Sequence, residues 1–384
     1  MAWFSDKKQN MDVKRLIGML RNSDANKRNN AARQLIALGA DSAPGLVAAL
    51  GGKDQALSTF VPQILVRIGV DAIPALSEAI RAREASNQIQ AATVLGEIGN
   101  SAALPILLQI LPSKNYKVQV ATALALGKIN DKSVMPQLLN TLSDNDPDVR
   151  IAVARAIAGF RLPKTYLNLA DLLDDPEINV RQAAAQALAE TDDPSVIPYL
   201  VEALYDSFWW YGREEAMQVL QASIRKFGTQ AYAPLAEAMN AKEPTVRRYA
   251  ISLLAPLKDS RSLEPLQMAF YDPNYDVAEM AATAMIGYGP TAMSIFVEAL
   301  SSPNDWIREK SVESIAKIGG REAVNYLLKT LNDSESSVRI AAINALGQLK
   351  DRYALPALDA LAANRDEREI SRLARQAIAA IHAG

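Results

Sequence analysis

A short segment that recurs along the whole chain limits the possible folds more than any other feature of this sequence. It is clearest as Asp-Asn-Asp-Pro-Asp-Val-Arg-Ile-Ala-Val-Ala-Arg-Ala-Ile over residues 144–157, and related segments follow at 174–188 and 332–347. A fixed repeat period is typical of solenoids, propellers and arrays. The repeat therefore has to be placed before any other element is assigned.

The other copies can be counted from Arg150, which we use as the reference position. Successive reference positions are 31 residues apart with deviations of one, except for a step of 34 between Arg213 and Arg247. In chain order they are Arg28, Ser58, Gln88, Gln119, Arg150, Arg181, Arg213, Arg247, Ala278, Arg308, Arg339 and Ser371. This register predicts twelve copies that account for nearly the whole chain.

Each copy contains two stretches with the apolar spacing of an amphipathic helix, which we name helix A and helix B. Helix B of the sixth copy has Val180, Ala184 and Leu188 at that spacing. Helix A often begins at a proline, which suits a first helical turn because the missing N–H is not needed there. These prolines are Pro44, Pro74, Pro105, Pro136, Pro198, Pro234, Pro265 and Pro356. Asp and Asn residues between the two stretches are expected to cap helix B, and no segment alternates as a strand would.

The pattern Asp-x-Asp-x-x-Val-Arg-x-x-Ala-Ala-x-Ala-Leu-Gly-x-Ile resembles the short HEAT repeat, in the subtype also called the phycobilisome-lyase-like HEAT repeat. The resemblance implies an all-α fold, an α-solenoid with a right-handed superhelix of about twelve HEAT-type helix pairs. It also implies one domain over residues 1–384. Residues 1–10 would form an N-terminal cap or tail, with Trp3 and Phe4 over the core of the first repeat. An irregular repeat is expected around residues 194–228.

Composition excludes several classes of function. The formal net charge is −2, so the chain as a whole does not have the basic character of an electrostatic nucleic-acid binder. It contains no cysteine, which excludes a disulfide framework, a thiolate nucleophile and cysteine-ligated metals. No signal peptide and no transmembrane segment are expected. We expect a bacterial, cytoplasmic protein without a metal or cofactor. Asp144, Asp146 and Asp148 do not predict a calcium site, because the glycine and the final glutamate of a calcium-binding loop are absent.

Two enzyme families with HEAT-like repeats can be compared with the residues present. Deoxyhypusine hydroxylase binds two irons through several His-Glu pairs, whereas this chain has a single histidine, His382. The HEAT-like DNA glycosylases need a basic concave face, but the predicted concave side of helix B alternates in sign. Its charged residues include Arg67, Glu97, Lys128, Arg155, Glu190, Glu214, Glu215, Arg248, Glu279, Glu309 and Lys310. A non-catalytic protein is the favoured interpretation.

Six of the eight reference positions from Arg150 onward are arginines that would stack along one edge of a solenoid. They are Arg150, Arg181, Arg213, Arg247, Arg308 and Arg339. The HEAT resemblance implies a structural role, in which each arginine bonds the turn of its own or the neighbouring repeat. A phosphate-binding ladder is the alternative, but the adjacent carboxylates would neutralise it.

The turn of the seventh copy departs from the pattern, because it reads Phe208-Trp209-Trp210-Tyr211 where the regular copies are acidic. Further aromatics follow in the turns of copies nine and ten and on helix B of copy eight. Together they form the predicted partner-binding set: Phe208, Trp209, Trp210, Tyr211, Tyr249, Tyr271, Tyr275 and Trp306. Equivalent turns lie side by side, so these rings are expected to form one aromatic edge. Alternatively, rings such as Phe208 and Trp209 could fold inward and fill the irregular copy.

The function predicted from the sequence is that of a scaffold or adaptor which binds a protein partner through its concave face and this aromatic edge. Exposed Trp and Tyr side chains offer a large contact area with little rotamer entropy to lose. The alternative suggested by the repeat subtype is a bilin lyase or a chaperone-like factor for phycobiliproteins. A DNA-binding or glycosylase protein is a more remote alternative.

Overall fold

The computed structural model describes residues 2–50, 54–82, 84–211, 213–364 and 366–383, with side chains described from residue 11 onward. The backbone is already helical from Ala2, where α1 begins. The side chains of Trp3 and Phe4, which the sequence predicts to be a cap, lie outside the described residues.

The described residues form helices and connecting turns, without a strand. Twelve helices occupy the predicted positions of helix A: α1 (Ala2–Met19), α3 (Ala43–Ala48), α5 (Ile73–Arg81), α7 (Leu104–Ile110), α9 (Met135–Thr141), α11 (Tyr166–Asp171), α13 (Ile197–Glu202), α15 (Tyr232–Ala238), α17 (Leu263–Phe270), α19 (Met293–Ala299), α21 (Arg321–Thr330) and α23 (Leu355–Ala363). Twelve others occupy the positions of helix B: α2 (Ala25–Leu38), α4 (Gln55–Ile68), α6 (Ala85–Ile98), α8 (Tyr116–Ile129), α10 (Pro147–Gly159), α12 (Ile178–Glu190), α14 (Glu214–Arg225), α16 (Pro244–Leu254), α18 (Tyr275–Ile286), α20 (Asp305–Ile318), α22 (Ser336–Leu349) and α24 (Arg368–Ala383). The predicted all-α solenoid of helix pairs is confirmed.

The helix boundaries follow the sequence signals. The reference residue is the fourth residue of helix B in the described copies, except that Arg213 immediately precedes α14. The prolines of helix A fall in its first turn, as Pro105 does in α7 and Pro136 in α9. Asp146 precedes α10, and its side chain accepts a hydrogen bond from the Asp148 N–H, so the acidic turn caps helix B.

The contacts divide the chain into two compact units. Unit 1 contains Met1–Ala203 and Phe208–Ser223, and unit 2 contains Leu204–Ser207 and Ile224–Gly384. Within unit 1 successive B helices pack on one another from α2 through α4, α6, α8 and α10 to α12. Unit 2 is stacked in the same way, from α16 through α18, α20 and α22 to α24. The core of each unit therefore lies between successive helix pairs.

Glycine allows the B helices of unit 1 to approach closely. A Cβ atom added to Gly96 would lie 2.7 Å from the Ala125 Cα, and one added to Gly127 would lie 2.8 Å from the Ala156 Cα. Contacts this short with backbone atoms are not tolerated in a packed interior. The Ala-Leu-Gly part of the repeat pattern thus sets the distance between neighbouring helices.

One stretch, Gln55–Arg81, has the length and apolar composition of a membrane span, which the sequence reading did not anticipate. In the structure it consists of α4, a 3₁₀ turn over Gly69–Ala72, and α5. Helix α4 packs against α2 and α6, and α5 packs against α3 and α6.

Candidate partner-binding surface

The arginines at the reference position connect each copy to the next. The guanidinium of Arg150 donates through Nε and Nη2 to the two carboxylate oxygens of Asp175, at 2.8 and 2.7 Å. Its Nη1 donates to the carbonyl oxygens of Asp144 and Asn145 in its own turn. Both charged side chains are buried. Arg150 therefore joins the turns of copies five and six.

The same geometry recurs in unit 2. Arg247 binds Asp272 and Arg308 binds Asp333 in the same two-pronged way, and each also donates to two carbonyl groups of its own turn. Arg339 differs, since its partner in the next copy is Glu367, at 2.6 Å. With donors engaged on both sides, these guanidinium groups are structural connections and offer little to a phosphate.

The Arg308–Asp333 pair shifts the pKa values of both side chains. A hydrogen bond from Arg308 lowers the pKa of Asp333 below the ordinary aspartate value, against the opposing effect of burial. The reciprocal hydrogen bond raises the pKa of Arg308. The Glu335 backbone also lowers the pKa of Asp333, because its N–H donates a hydrogen bond to Oδ1 of Asp333 at 2.9 Å. Each such carboxylate thus caps its own turn while it holds the preceding copy.

At the seventh copy, Phe208 packs against two successive arginines of the series. Its ring lies between the guanidinium groups of Arg181 and Arg213, each 3.9 Å from the ring centroid. Arg213 also donates to the Phe208 carbonyl oxygen at 3.1 Å. This cation–π stacking accounts for the half-buried position of Phe208. Phe208 is therefore part of the internal structure of unit 1.

The remaining aromatics of this turn do not share one environment. Trp209 is 0% exposed, which removes it from the predicted partner-binding set: a ring packed into the core cannot contact a partner. Trp210 is half-buried, and Tyr211 is exposed. The inward-folding alternative is thus correct for Trp209. The physical reason is that adjacent residues of the short 3₁₀ turn Ser207–Trp209 point in different directions.

In unit 2 the predicted residues Tyr271, Tyr275 and Trp306 lie together, and we name them the aromatic surface. Tyr275 and Trp306 have ring centroids 5.1 Å apart. Tyr275 is 61% exposed and Tyr271 46%, whereas Trp306 is half-buried. These three residues come from the turns of copies nine and ten, as the register predicts.

Two buried rings that sequence reasoning missed support the aromatic surface from below. Phe270 is fully buried, with its centroid 5.6 Å from Tyr271 and 6.5 Å from Trp306. Phe296 packs edge-on against Phe270 at 5.6 Å. Both occupy apolar positions of helix A, which predict burial but not the contact with the turn. The exposed rings therefore rest on a rigid support.

Helix caps fix where two of these rings leave the backbone. The Asn304 side chain accepts hydrogen bonds from the N–H groups of Trp306 and Ile307, and the Asn274 side chain accepts from the Val277 N–H. Tyr275 and Trp306 therefore occupy the first turns of α18 and α20. The ammonium group of Lys310, one turn further along α20, lies 5.9 Å from the Trp306 ring.

The other predicted residues occupy different surroundings. Tyr249 lies half-buried on α16. Charged residues of alternating sign on helix B form ion pairs between copies, such as Lys128 with Glu97 and Lys310 with Glu279. Phe208–Tyr211 belong to unit 1 and the aromatic surface to unit 2, so continuity of the predicted aromatic edge stays a prediction.

The fold and this surface define a helical-repeat solenoid that presents aromatic side chains at its inter-helix turns. The family model for HEAT repeats matches residues 73–140, 135–221 and 293–379, which is more than half of the chain. The chain therefore belongs to the HEAT-repeat family. No curated protein matches it.

Solved structures agree on the fold. Kap121p bound to Nup53p has a TM-score of 0.55 at 12% identity, and the match covers 97% of this chain and 49% of that chain. The karyopherin Kap121p bound to the SUMO protease Ulp1p has a TM-score of 0.50 at 11% identity, with 98% and 53% covered. This chain thus spans about half the length of these karyopherins. At such identities the likeness concerns the fold alone.

Proposed function

We propose that this chain is a non-catalytic scaffold or adaptor which binds a protein partner through the aromatic surface of unit 2. The observation that carries the proposal is that Tyr271, Tyr275 and Trp306 are grouped and partly exposed on buried Phe270. Exposed Tyr and Trp grouped in this way provide the type of anchor that dominates binding energy at interfaces. The similar karyopherins, which were solved with protein partners, support the proposal at the level of the fold.

The rigidity of the surface is the second argument for binding. The Asn274 and Asn304 caps hold the backbone at Tyr275 and Trp306, and Phe270 supports the Tyr271 and Trp306 rings, so less conformational entropy is lost when a partner binds. The half-buried Trp306 gives the surface a fixed centre, with Tyr271 and Tyr275 more exposed beside it. The neighbouring face of helix B, which carries the Lys310–Glu279 ion pair, would form the polar rim.

The experiment is to capture the partner from a lysate of the source organism, identify it by mass spectrometry and measure its affinity by calorimetry. The double substitution Tyr271→Ala and Tyr275→Ala should weaken binding by about 2 kcal/mol or more. Tyr353→Ala is the matched control, since Tyr353 is a 67% exposed tyrosine of the same unit outside the aromatic surface. Equal affinity of the double variant and the control would overturn the proposal.

The alternative function suggested by the repeat subtype, binding of a bilin, has a separate test. If the chain acts on bilins, mixing it with a free bilin should shift the absorbance spectrum of the pigment. The aromatic surface would then be expected to lie against the pigment, and the same double tyrosine variant should reduce the shift.

A further inference from the structure

A groove adjoins the aromatic surface in unit 2, between helices α15 and α17. Its volume is about 510 Å³, which is within the range of sites that accept several side chains. Its apolar lining includes Met239, Pro265, Met268, Tyr271 and Pro273. Tyr271 belongs both to the groove and to the aromatic surface, so the two features form one continuous surface.

Met268 shows that this lining is not simply part of the core. It is 67% exposed, and it lies in the last turn of α17, one helical turn before Tyr271. The equivalent position in the neighbouring A helices α15 and α19 is an exposed glutamate, Glu237 and Glu298 respectively. A flexible, polarizable methionine is suited to contact aliphatic side chains of varied shape.

Among the described residues that line the groove, Arg247 is the one cation, and its charge is already neutralised. Arg247 donates to both carboxylate oxygens of Asp272, at 2.6 and 2.7 Å, and to the carbonyl oxygens of Ala241 and Lys242. Removing Arg247 from these partners would leave the Asp272 carboxylate buried without a counter-charge. Arg247 is therefore part of the wall and does not attract a carboxylate of a ligand.

The charged residues that line the groove, Arg247, Glu264 and Asp272, leave one net negative charge. Helices α15, α17 and α19 contain Glu237, Glu264 and Glu298 but no lysine or arginine. All three carboxylates are exposed, and among the described residues none of them forms an ion pair. Glu264 lines the groove itself. Burial, together with the charge of Glu298, raises the pKa of Tyr271, so the Glu298 carboxylate acts electrostatically on this ring.

We infer that this groove binds an extended basic segment of the partner, with an aliphatic side chain between Met268 and Tyr271 and flanking Lys or Arg side chains against Glu264 and Glu298. The inference rests on the proposed function, because it describes which partner the aromatic surface accepts. Basic residues gain from the carboxylates at long range, and the apolar groove provides the contact that fixes the register. The same carboxylates would repel an acidic segment.

The probes for the test are three short synthetic peptides labelled with a fluorophore. The first alternates lysine with leucine and proline, the second has glutamate in place of lysine, and the third has serine in place of leucine. Fluorescence anisotropy with the full chain should show binding of the first peptide, which weakens as salt is added. The second peptide should not bind, and the third should bind about tenfold or more weakly than the first.

Two charge-reversed proteins locate the site. The double substitution Glu264→Lys and Glu298→Lys should weaken binding of the first peptide by about tenfold or more. The control, Glu322→Lys with Asp359→Lys, changes the net charge equally on exposed residues of α21 and α23 and should bind as the original chain does. Circular dichroism should show equal melting temperatures for the two variants.

The outcomes separate this inference from the proposed function. Binding of the glutamate peptide, or equal loss of binding in the two charge-reversed proteins, would overturn the inference. If the natural partner is lost by Tyr271→Ala with Tyr275→Ala but retained by Glu264→Lys with Glu298→Lys, the proposed function stands and the basic segment is wrong. If the tyrosine variant retains the partner, the proposed function itself fails.

Discussion

At the scale of single residues, the arginine at the reference position explains how one copy specifies the position of the next. Its planar fork can bond two carbonyl groups of its own turn and two carboxylate oxygens of the following turn at the same time. Arg150, Arg247 and Arg308 all use their donors in this way. A lysine could not reproduce the geometry, since its ammonium group is a single point of charge.

The first prediction concerns Arg150. Arg150→Ala leaves the buried carboxylate of Asp175 without its partner and should lower the free energy of unfolding by about 3 kcal/mol. The matched control is Gln119→Ala, because Gln119 holds the same position one copy earlier and donates a single hydrogen bond from its neutral amide to the Asp144 carboxylate at 2.9 Å. The control should cost about 1 kcal/mol. Urea unfolding followed by circular dichroism measures both, and equal losses would show that the charged pair adds nothing.

The second prediction concerns pH. Because the hydrogen bond from Arg308 lowers the pKa of Asp333 in the folded chain, the pair stabilises the fold above the ordinary aspartate pKa of about 3.9. That stability is lost as the pH falls through the lowered pKa of the folded state. Asp333→Asn should therefore lose stability at pH 7 and show a flatter acid limb of stability against pH. Urea midpoints between neutral and acid pH test this, with parallel limbs as the contrary result.

At the scale of helices, the distance between neighbours depends on small residues at their contact. Gly96 and Gly127 have no room for a side chain against the facing helix, while Gly159 at the end of α10 has nothing within 4 Å of its added Cβ. The same residue type thus has two roles that the sequence alone does not separate. The contact geometry decides which glycines are constrained.

The third prediction uses this difference. Gly127→Leu places a side chain against the backbone of Ala156, and it should lower the free energy of unfolding by about 3 kcal/mol through forced separation of α8 and α10. Gly159→Leu, in open space, should change it by less than about 1 kcal/mol. Thermal and urea unfolding of the two variants provide the measurement. Similar losses in both would mean that the helices do not rely on close contact.

Much of this architecture could be predicted from the sequence, since the determinants are local. Helical spacing, the proline of helix A and the acidic cap before helix B lie within one copy, and they place the twelve helix pairs correctly. The grouping of Tyr275 with Trp306 was also predictable, because equivalent turns of adjacent copies are neighbours.

The rest depends on contacts that no local pattern records. Trp209 and Tyr211 are two residues apart in one turn, yet one is fully buried and the other exposed, and neighbouring packing alone decides between them. The stacking of Phe208 between Arg181 and Arg213 needs two different copies. The groove beside Met268 was missed for the same reason, since an exposed methionine on an amphipathic helix looks like a core residue in the sequence.

At the scale of the whole chain, the copies differ in how firmly they are tied to their neighbours. A repeat array is stabilised by each copy and by its interfaces with adjacent copies. In copies five and six, Arg150 bridges the interface through Asp175. In copies two and three the reference residues are Ser58 and Gln88, whose recorded hydrogen bonds go to Gln55 and Ile80 of their own copies. Among the residues that the structure describes, those interfaces therefore lack this connection.

The last prediction follows from this contrast. Amide hydrogens in residues 41–99 should exchange faster than those in residues 130–190, because local opening needs less free energy where a buried inter-copy pair is missing. Both segments belong to unit 1 and consist of stacked helix pairs, so each serves as the reference for the other. Hydrogen–deuterium exchange followed by mass spectrometry measures both in one sample. In Arg150→Ala the difference should shrink, as exchange in residues 130–190 accelerates towards that of residues 41–99. Equal protection of the two segments in the unaltered chain would show that apolar packing, and not the arginine connection, sets their stability.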